Sequence, residues 1–461
     1  MGASSARFAA GRIEGGRLGF EVIEQIAHGP SDSGFRASGI PSSQYPIPRL
    51  TWNFDLLLGL CNRAVEYASA SFDEATIGID TWGVDHGFLD SKGNLAQPMA
   101  AYRDESHAMA MATIEEHQAR LYRLTGIQKQ PFNTLCQLIA RRLENPKLPE
   151  QATWLLLPDL FGFYLHSQRP TLNPQHFGSE LSIASTTQMV GLDGQWCDEA
   201  FEIAGWPVPD LQPEKPGRMI GHAANSVEII RVGGHDSAAA VCGLGRIDDY
   251  TAFMNVGTWS ILGCLLESPM TSEEAREANF TNERGADGRI RFLANIPGFY
   301  VMNRLKEELQ VEEPMADWLA RADRSVTDRL DLFAPGLFSP GSMIGAITEQ
   351  IGWQPARSQE WAGVALMSLA ETTATQLRTL CSVTGRRFSL IRAGGGGSAS
   401  MAFCEAVADA CGIPVLAGPA EATVLGNLGM QALAKGVISD FDELEELMRR
   451  SAEARIYRPR E

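Results

Sequence analysis

The sequence predicts an α/β protein made of two related halves with a cleft between them. Two observations carry this. First, apolar, β-branched runs lead into a glycine turn and then a small-residue helix, as in VEIIRV-GGHD-SAAAVCGL (227–244) and RFSLIRA-GGGGSAS-MAFCEAVADACG (387–412). Second, a hairpin with small and polar residues in its turns opens each half, at 7–27 and again at 251–267. The 461 residues suit two or three domains, and 44% apolar residues is enough for ordinary cores.

Taken in order, RFAAGRIEGGRLGFEVIEQIA (7–27) is two strands about the turn EGG. TWNFDLLLGLCNRAVEYA (51–68) has helical periodicity, with Asn53 or Asp55 near its start. ATIGIDTWGVDHGFLDSKGN (75–94) reads as strand, glycine turn, second strand and a DSKGN turn. Residues 105–145 read as helical apart from a break at GIQKQPFNT, and WLLLPDLFGFYLHS (154–167) as a helix interrupted at Pro158. Pro207, Pro209, Pro213 and Pro216 mark a rigid connection. Beyond the second hairpin come a long helix ended by Gly385, then two strand–loop–helix units, the last being IPVLAGPAEATVLGNLGMQALAKG (413–436).

Composition excludes several partners. With 39 Lys plus Arg against 56 Asp plus Glu, the net charge is −17. Such a surface repels nucleic acid and anionic membranes. The eight cysteines are scattered with no C-x-x-C, and Cys404 and Cys411 read as core positions on one helix face. The N-terminus carries no apolar signal region, and TWLLLPDLFGFYL is too short to span a bilayer. The expectation is a soluble cytoplasmic protein.

Asp236 poses the central question. An acid between a glycine turn and a helix either caps the helix or serves as a general base at a cleft, and capping is the commoner role. Asp80, Trp82 and Asp85 lie in GIDTWGVD, and Arg103 and Asp104 in YRDES. Carboxylates, a guanidinium and an aromatic face are what a polyhydroxylated ligand needs, although turn carboxylates and a core Trp are an equal alternative. GASSAR (2–7) and NVGTWS (255–260) place glycine and hydroxyls at hairpin tips that could grip a polyphosphate. AGGGGSAS (393–400) could bring backbone amides to an anion or an adenosine. No Walker A sequence and no H-E-x-x-H spacing occur.

In order and spacing, GIDTWGVD, AYRDE, PFNTL, GHDSAAAV, GTWSILG, NFTNERGADGRIRFLANIPG and GPAEATVLGNLG resemble the rhamnulokinase branch of the FGGY carbohydrate kinase family. The resemblance runs from residue 2 to about residue 435. It implies an actin-like (RNase H-like) duplicated fold, with a sugar-binding domain at 1–245, a nucleotide-binding domain at 246–461, and ATP and sugar between them. The implied activity is ATP- and Mg²⁺-dependent phosphorylation of the 1-hydroxyl of L-rhamnulose. Alternatives are another ketose such as L-fuculose, L-xylulose or L-ribulose, or a sugar-binding member impaired in catalysis. By position, Asp236 is the general base, and Gly83, His235, Ser237 and Asn295 border the sugar beside Asp80, Trp82, Arg103 and Asp104. Ala3, Ser4, Ser5, Arg7 and Thr258 fall on the phosphate hairpins, and Asn303, Gly395 and Gly396 on the nucleotide side. Three departures lie on the ATP side. The family's first strand and its terminal Asp precede the point where this sequence starts, so a late start codon or a truncated chain is expected. Ala399 stands where relatives tend to carry Asn, and Asn303 where rhamnulokinases carry Gln.

Overall fold

Glycine placement shapes the first hairpin. In the computed structural model, which describes residues 1–32, 49–296, 298–338 and 340–460, Ser5–Glu14 pairs antiparallel with Arg17–Ala27. The turn between them uses Gly15 and Gly16 at φ 57° and 73°, values that glycine adopts without steric cost. GASSAR lies at the opposite end of this hairpin from its tip. Gly2 N–H closes a short turn on the Ser5 carbonyl at 2.9 Å, and Ser5 to Arg7 already belong to the strand. The expected hairpin tip at 2–7 is therefore a turn leading into the first strand.

The second hairpin, Thr251–Val256 with Ser260–Leu266, lies inside a seven-stranded sheet. Ile290–Ile296 and then Thr281–Arg284 extend it antiparallel on one side. Leu390–Gly394 and Val415–Ala417 extend it parallel on the other, and Arg455–Tyr457 closes that edge. Parallel strands need both faces covered. Residues of the Ser358–Thr384, Met401–Cys411 and Gly298–Glu308 helices share one buried apolar cluster with this sheet. The first half spreads its strands over smaller sheets. Thr76–Gly78 pairs parallel with Glu228–Arg231, which also pairs with Arg218–His222. Phe54–Ser71 is the expected helix, with Asn53 Oδ1 accepting from Leu56 N–H at 3.0 Å.

One expected element is corrected. The run at 153–156 is a strand paired antiparallel with His86–Leu89, and the helix begins only at Leu157. Pro158 sits in the first turn of that helix, where its missing N–H costs nothing. An all-apolar run cannot be told from a buried helix by periodicity. The break expected between 125 and 134 is present, flanked by the helices Met111–Thr125 and Thr134–Glu144.

A boundary at residue 245 does not separate the cores. Leu18, Ile230, Val232 and Ala239 share a buried cluster with Leu425, Met430, Leu444, Leu447 and Met448. Between the first hairpin and the Thr76–Gly78 strand lies a cavity of about 210 Å³, whose lining includes Phe8, Ala10, Cys61, Ile77, Asn427 and Leu428. All eight cysteines are free. Among the described residues, no helix is long and apolar enough to cross a membrane.

The halves meet where the Asp236–Gly243 helix crosses the Ala422–Ala434 helix. A Cβ added at Gly243 would stand 1.9 Å from the Ala422 carbonyl oxygen, and one at Gly426 would stand 1.8 Å from that of Ala239. Backbone meets backbone there, and no side chain fits. Gly426→Ala is expected to lower stability by about 3 kcal/mol, the upper end of the usual overpacking cost. Urea unfolding measures it, and an unchanged midpoint would refute so close a crossing.

Candidate active site

Asp236 is held by its backbone from two directions. Thr81 N–H donates to the Gly234 carbonyl and Asp236 N–H donates to the Thr81 carbonyl, both at 2.8 Å. The Asp236 carbonyl also faces the Thr423 hydroxyl at 3.3 Å. Asp236 is the first residue of its helix, after His235 at the N-cap, and the helix has no side-chain cap. Capping is thus not its task. Oδ1 accepts from the Ser237 hydroxyl at 3.1 Å and lies 3.6 Å from His235 Nε2. The side chain is 27% exposed, yet close enough packing surrounds it that desolvation raises its pKa. His235 opposes that rise, and the nearby Asp80 charge adds to it.

The turn before Asp236 hangs on Glu180, a residue that sequence reasoning missed. This carboxylate is 1% exposed. It accepts from Ser182 N–H at 2.8 Å, Ser182 hydroxyl at 2.6 Å, Ile183 N–H at 3.0 Å and Gly234 N–H at 2.8 Å. Ser182 Oγ then accepts from His235 N–H at 3.3 Å. Burial raises the Glu180 pKa, against the pull of those donors. The available signal was a lone acid in the small-residue run GSELSIAS, which alone reads as an N-cap.

The residues of GIDTWGVD and YRDES divide by what they touch. Asp80 Oδ2 accepts from Asn427 Nδ2 at 2.6 Å, and Oδ1 is 3.2 Å from the Met1 amino group. Trp82 packs 4.5 Å from Trp52, centroid to centroid, and both indole N–H groups donate to Asp85 Oδ2, at 2.8 and 2.6 Å. Gly83 faces Thr186, whose Oγ1 would lie 3.1 Å from an added Cβ. Asp104 caps the short helix at 105–110, with one oxygen on Ser106 N–H and the other on Leu50 N–H. That engagement makes it a fold residue rather than an open contact group. Arg103 is exposed and donates through Nε to Tyr102 Oη at 2.9 Å. Tyr102 joins this wall as a further unanticipated residue; burial raises its pKa, and the Asp85 and Asp236 charges add to the rise.

On the phosphate side, Thr258 is exposed at the second hairpin's turn, and its carbonyl accepts from Tyr300 N–H at 2.9 Å. Asn303 is exposed one helical turn beyond Tyr300, and Asn295 is exposed on its strand. Gly395 has φ 84°, and an added Cβ would meet Asn255 Oδ1 at 2.5 Å, whereas one at Gly396 would meet nothing within 4 Å. Ala3 is half-buried, Ser4 exposed and Ser5 half-buried. Arg7 Nη1 is paired with both oxygens of Glu421, at 2.6 and 2.7 Å.

Residues 252–435 match the model of the FGGY family of carbohydrate kinases, C-terminal domain. Over 426 residues the chain is 34% identical to a rhamnulokinase of Klebsiella pneumoniae (strain 342), covering 88% of this chain and 85% of that one. The chain belongs to the FGGY family of carbohydrate kinases. A second Klebsiella pneumoniae rhamnulokinase (subsp. pneumoniae, strain ATCC 700721 / MGH 78578) is 34% identical over 424 residues, with the same coverage of 88% and 85%. The fold is that of solved two-domain sugar kinases of the actin-like class. Gluconate kinase from Lactobacillus acidophilus superposes with a TM-score of 0.76 at 16% identity, over 100% of this chain and 92% of that one. Plasmodium falciparum glycerol kinase with ADP gives 0.73 at 13%, over 100% and 92%.

As an FGGY member the protein is an ATP-dependent sugar kinase. Among the described residues, no group of three or more His, Cys, Asp or Glu side chains is placed to hold a metal ion. Glu180 accepts four hydrogen bonds, three of them from backbone N–H groups, and carries the glycine turn before Asp236. Glu180→Ala would leave Gly234 and Ile183 N–H groups buried without an acceptor. The expected loss is about 3 kcal/mol, read by thermal or urea unfolding, with lower turnover in the surviving protein. Stability within experimental error of the parent would show that the turn does not depend on this carboxylate.

Proposed function

We propose that this kinase transfers the γ-phosphoryl group of ATP to the 1-hydroxyl of a ketose, with L-rhamnulose the favoured acceptor. Asp236 carries the reading: a carboxylate open to solvent by about a quarter, at the crossing of the two halves, flanked by His235 and Ser237. The Klebsiella relatives, named rhamnulokinases, support the choice of sugar.

The chemistry follows from that placement. Asp236 accepts the hydroxyl proton as the sugar oxygen bonds to the γ-phosphorus, while the bond from that phosphorus to the β,γ-bridging oxygen breaks and ADP leaves. A positioned, partly desolvated base needs no reorganisation when the proton moves. His235 and Ser237 adjoin it, and Gly83, Trp82 and Tyr102 form the packed wall beside it. Asn295 approaches from the second half. Thr258 and the turn at Ala3 to Arg7 would meet the phosphates, and Asn303, Gly395 and Gly396 the nucleoside. Magnesium would be carried by the nucleotide phosphates, whose charge it would neutralise. The two domains are read as 1–245 for sugar and 246–461 for nucleotide, with the last helices returning to the first.

Two outcomes test this. Asp236→Asn is expected to keep sugar binding by calorimetry and to lose about 10²–10⁴ in turnover; equal ADP release from mutant and parent would refute the base assignment. A base must be ionised to act, and the Asp236 pKa is raised. The acid limb of kcat/KM is therefore expected above the ordinary carboxylate range, with activity rising as pH passes upward through it. A limb at or below the usual aspartate value would contradict the desolvated base. ADP release across a panel of L-rhamnulose, L-fuculose, L-xylulose and L-ribulose decides the sugar, and a lead by any other ketose would overturn L-rhamnulose.

A further inference from the structure

Within TNERGADGRIRFLANI (281–296), only Asn295 has so far been given a role. Thr281–Arg284 is the edge strand of the large sheet, and its register on Ile290–Ile296 sets Glu283 directly opposite Arg291. Side chains at such positions share one face of the sheet. Arg291 Nη2 donates to Glu283 Oε2 at 2.7 Å. The same Nη2 lies 2.9 Å from His235 Nδ1, and Glu283 Oε2 lies 3.2 Å from that nitrogen. The other ring nitrogen, Nε2, stands 3.6 Å from Asp236 Oδ1. A pair from the second half thus grips one end of a ring whose other end faces the base in the first.

The pair is built to stay charged and in place. The Arg291 side chain is 0% exposed. Burial alone would raise the Glu283 carboxyl, but Arg291 and His235 beside it hold it down to about 2. The strand itself is pinned to the first half: Arg284 N–H donates to Ser185 Oγ at 2.8 Å, and Asn282 N–H to the Gly126 carbonyl at 2.9 Å. A buried ion pair is a poor way to gain stability, because desolvating two charges costs as much as their attraction returns. Its value here lies in what it holds. An imidazole with one nitrogen engaged presents the other in a fixed direction, and that direction decides what it offers a neighbour.

We propose that Glu283 and Arg291 are positioning residues for the reaction. They fix the His235 ring with Nδ1 toward the second half and Nε2 toward Asp236 and the acceptor hydroxyl. Docking of the second half's edge strand therefore sets the surroundings of a base that the first half carries. This rests on the sugar-kinase reading above, in which Asp236 is the base.

The test uses the full chain with Glu283→Gln, Glu283→Asp and Arg291→Lys, and two readouts. In steady-state ADP release, Glu283→Gln is expected to lower kcat by roughly 10–100-fold, the range seen when partners that orient a histidine are removed, with KM changing by less than about threefold. Glu283→Asp is expected to restore part of the loss, which a pair serving only as a staple between the halves would not produce. In nitrogen-15 spectra of the unliganded, labelled protein, the His235 ring resonances are expected to move in Glu283→Gln and Arg291→Lys while those of His166, which packs on Phe177, stay in place. Parent-like kcat together with unmoved His235 resonances would overturn the proposal. A parent inactive on every ketose would instead refute the kinase reading, and the His235 resonances would still decide whether the pair holds the ring. If Glu283→Gln fails to fold, Arg291→Lys, which keeps the charge, carries both readouts.

Discussion

Backbone contact between the Asp236–Gly243 and Ala422–Ala434 helices is the constraint on which the rest of the molecule depends. Helices that pack through side chains sit 8–10 Å apart; these two exclude side chains at Gly243 and Gly426. The closeness lets the second helix touch the site directly. Thr423 reaches the Asp236 carbonyl, Asn427 holds Asp80, and Gln431 accepts from the Thr76 hydroxyl at 2.6 Å. Glu421, just before that helix, holds Arg7 of the first hairpin. A larger residue at either glycine would move Asp236 relative to all four. Distance between the halves is thus set by two missing β-carbons rather than by a yielding apolar interface.

Around that crossing, the first half uses carboxylates as internal anchors. Asp85 is 0% exposed and takes donors from Trp52, Trp82, Gln137 and the Tyr102 backbone. Burial still lifts its pKa to about 6. Asp159 is lifted to about 7 by burial, although Arg231 opposes the rise. Glu283, whose side chain is 14% exposed, falls to about 2. The contrast follows from exposure and local charge: Asp85 meets only neutral donors, Asp159 has Arg231 at 3.5 Å opposed by Glu180 and Glu214, and the partly open Glu283 is hydrogen-bonded to the Arg291 guanidinium. Glu180 fixes three backbone N–H groups at once, and its loss would leave them buried and unpaired. Such a wall resists deformation, and a base that must meet a hydroxyl in one orientation needs that resistance.

Local chemistry made most of the fold legible. Hairpin glycines, the Asn53 cap and the strand–glycine–helix units each act within a few residues, and the structure places them where the pattern does. The run at 153–156 escaped because four apolar residues satisfy a strand and a buried helix alike, and the choice falls to His86–Leu89, its distant partner. The turn that carries His235, Asp236 and Ser237 was legible as a turn between strand and helix. Glu180 and Glu283 were not. Glu180 acts on Gly234 through space, across 54 residues of chain, and Glu283 acts on His235 from another sheet. Asp104 was over-read, since an acid before a short helix has the same composition whether it caps or binds. Asp236 was ambiguous for the same reason, and its unused capping geometry sets aside the capping reading alone.

The residues around Asp236 and those expected on the nucleotide side differ in exposure. Residues around Asp236 are buried, hydrogen-bonded and tied to both helices of the crossing. Thr258, Asn303 and Gly396 are exposed, and Gly396 has open space where a side chain would stand. A loop that approaches a ligand through its backbone needs such room, and its ordering can be completed when the ligand arrives. A proton acceptor has no such latitude, because an error of about an ångström in its placement weakens every turnover. Dense polar bonding lies behind Asp236, the proposed base. Asp236 stands beside a histidine whose far nitrogen, Nδ1, lies against Arg291 and Glu283 of the second half.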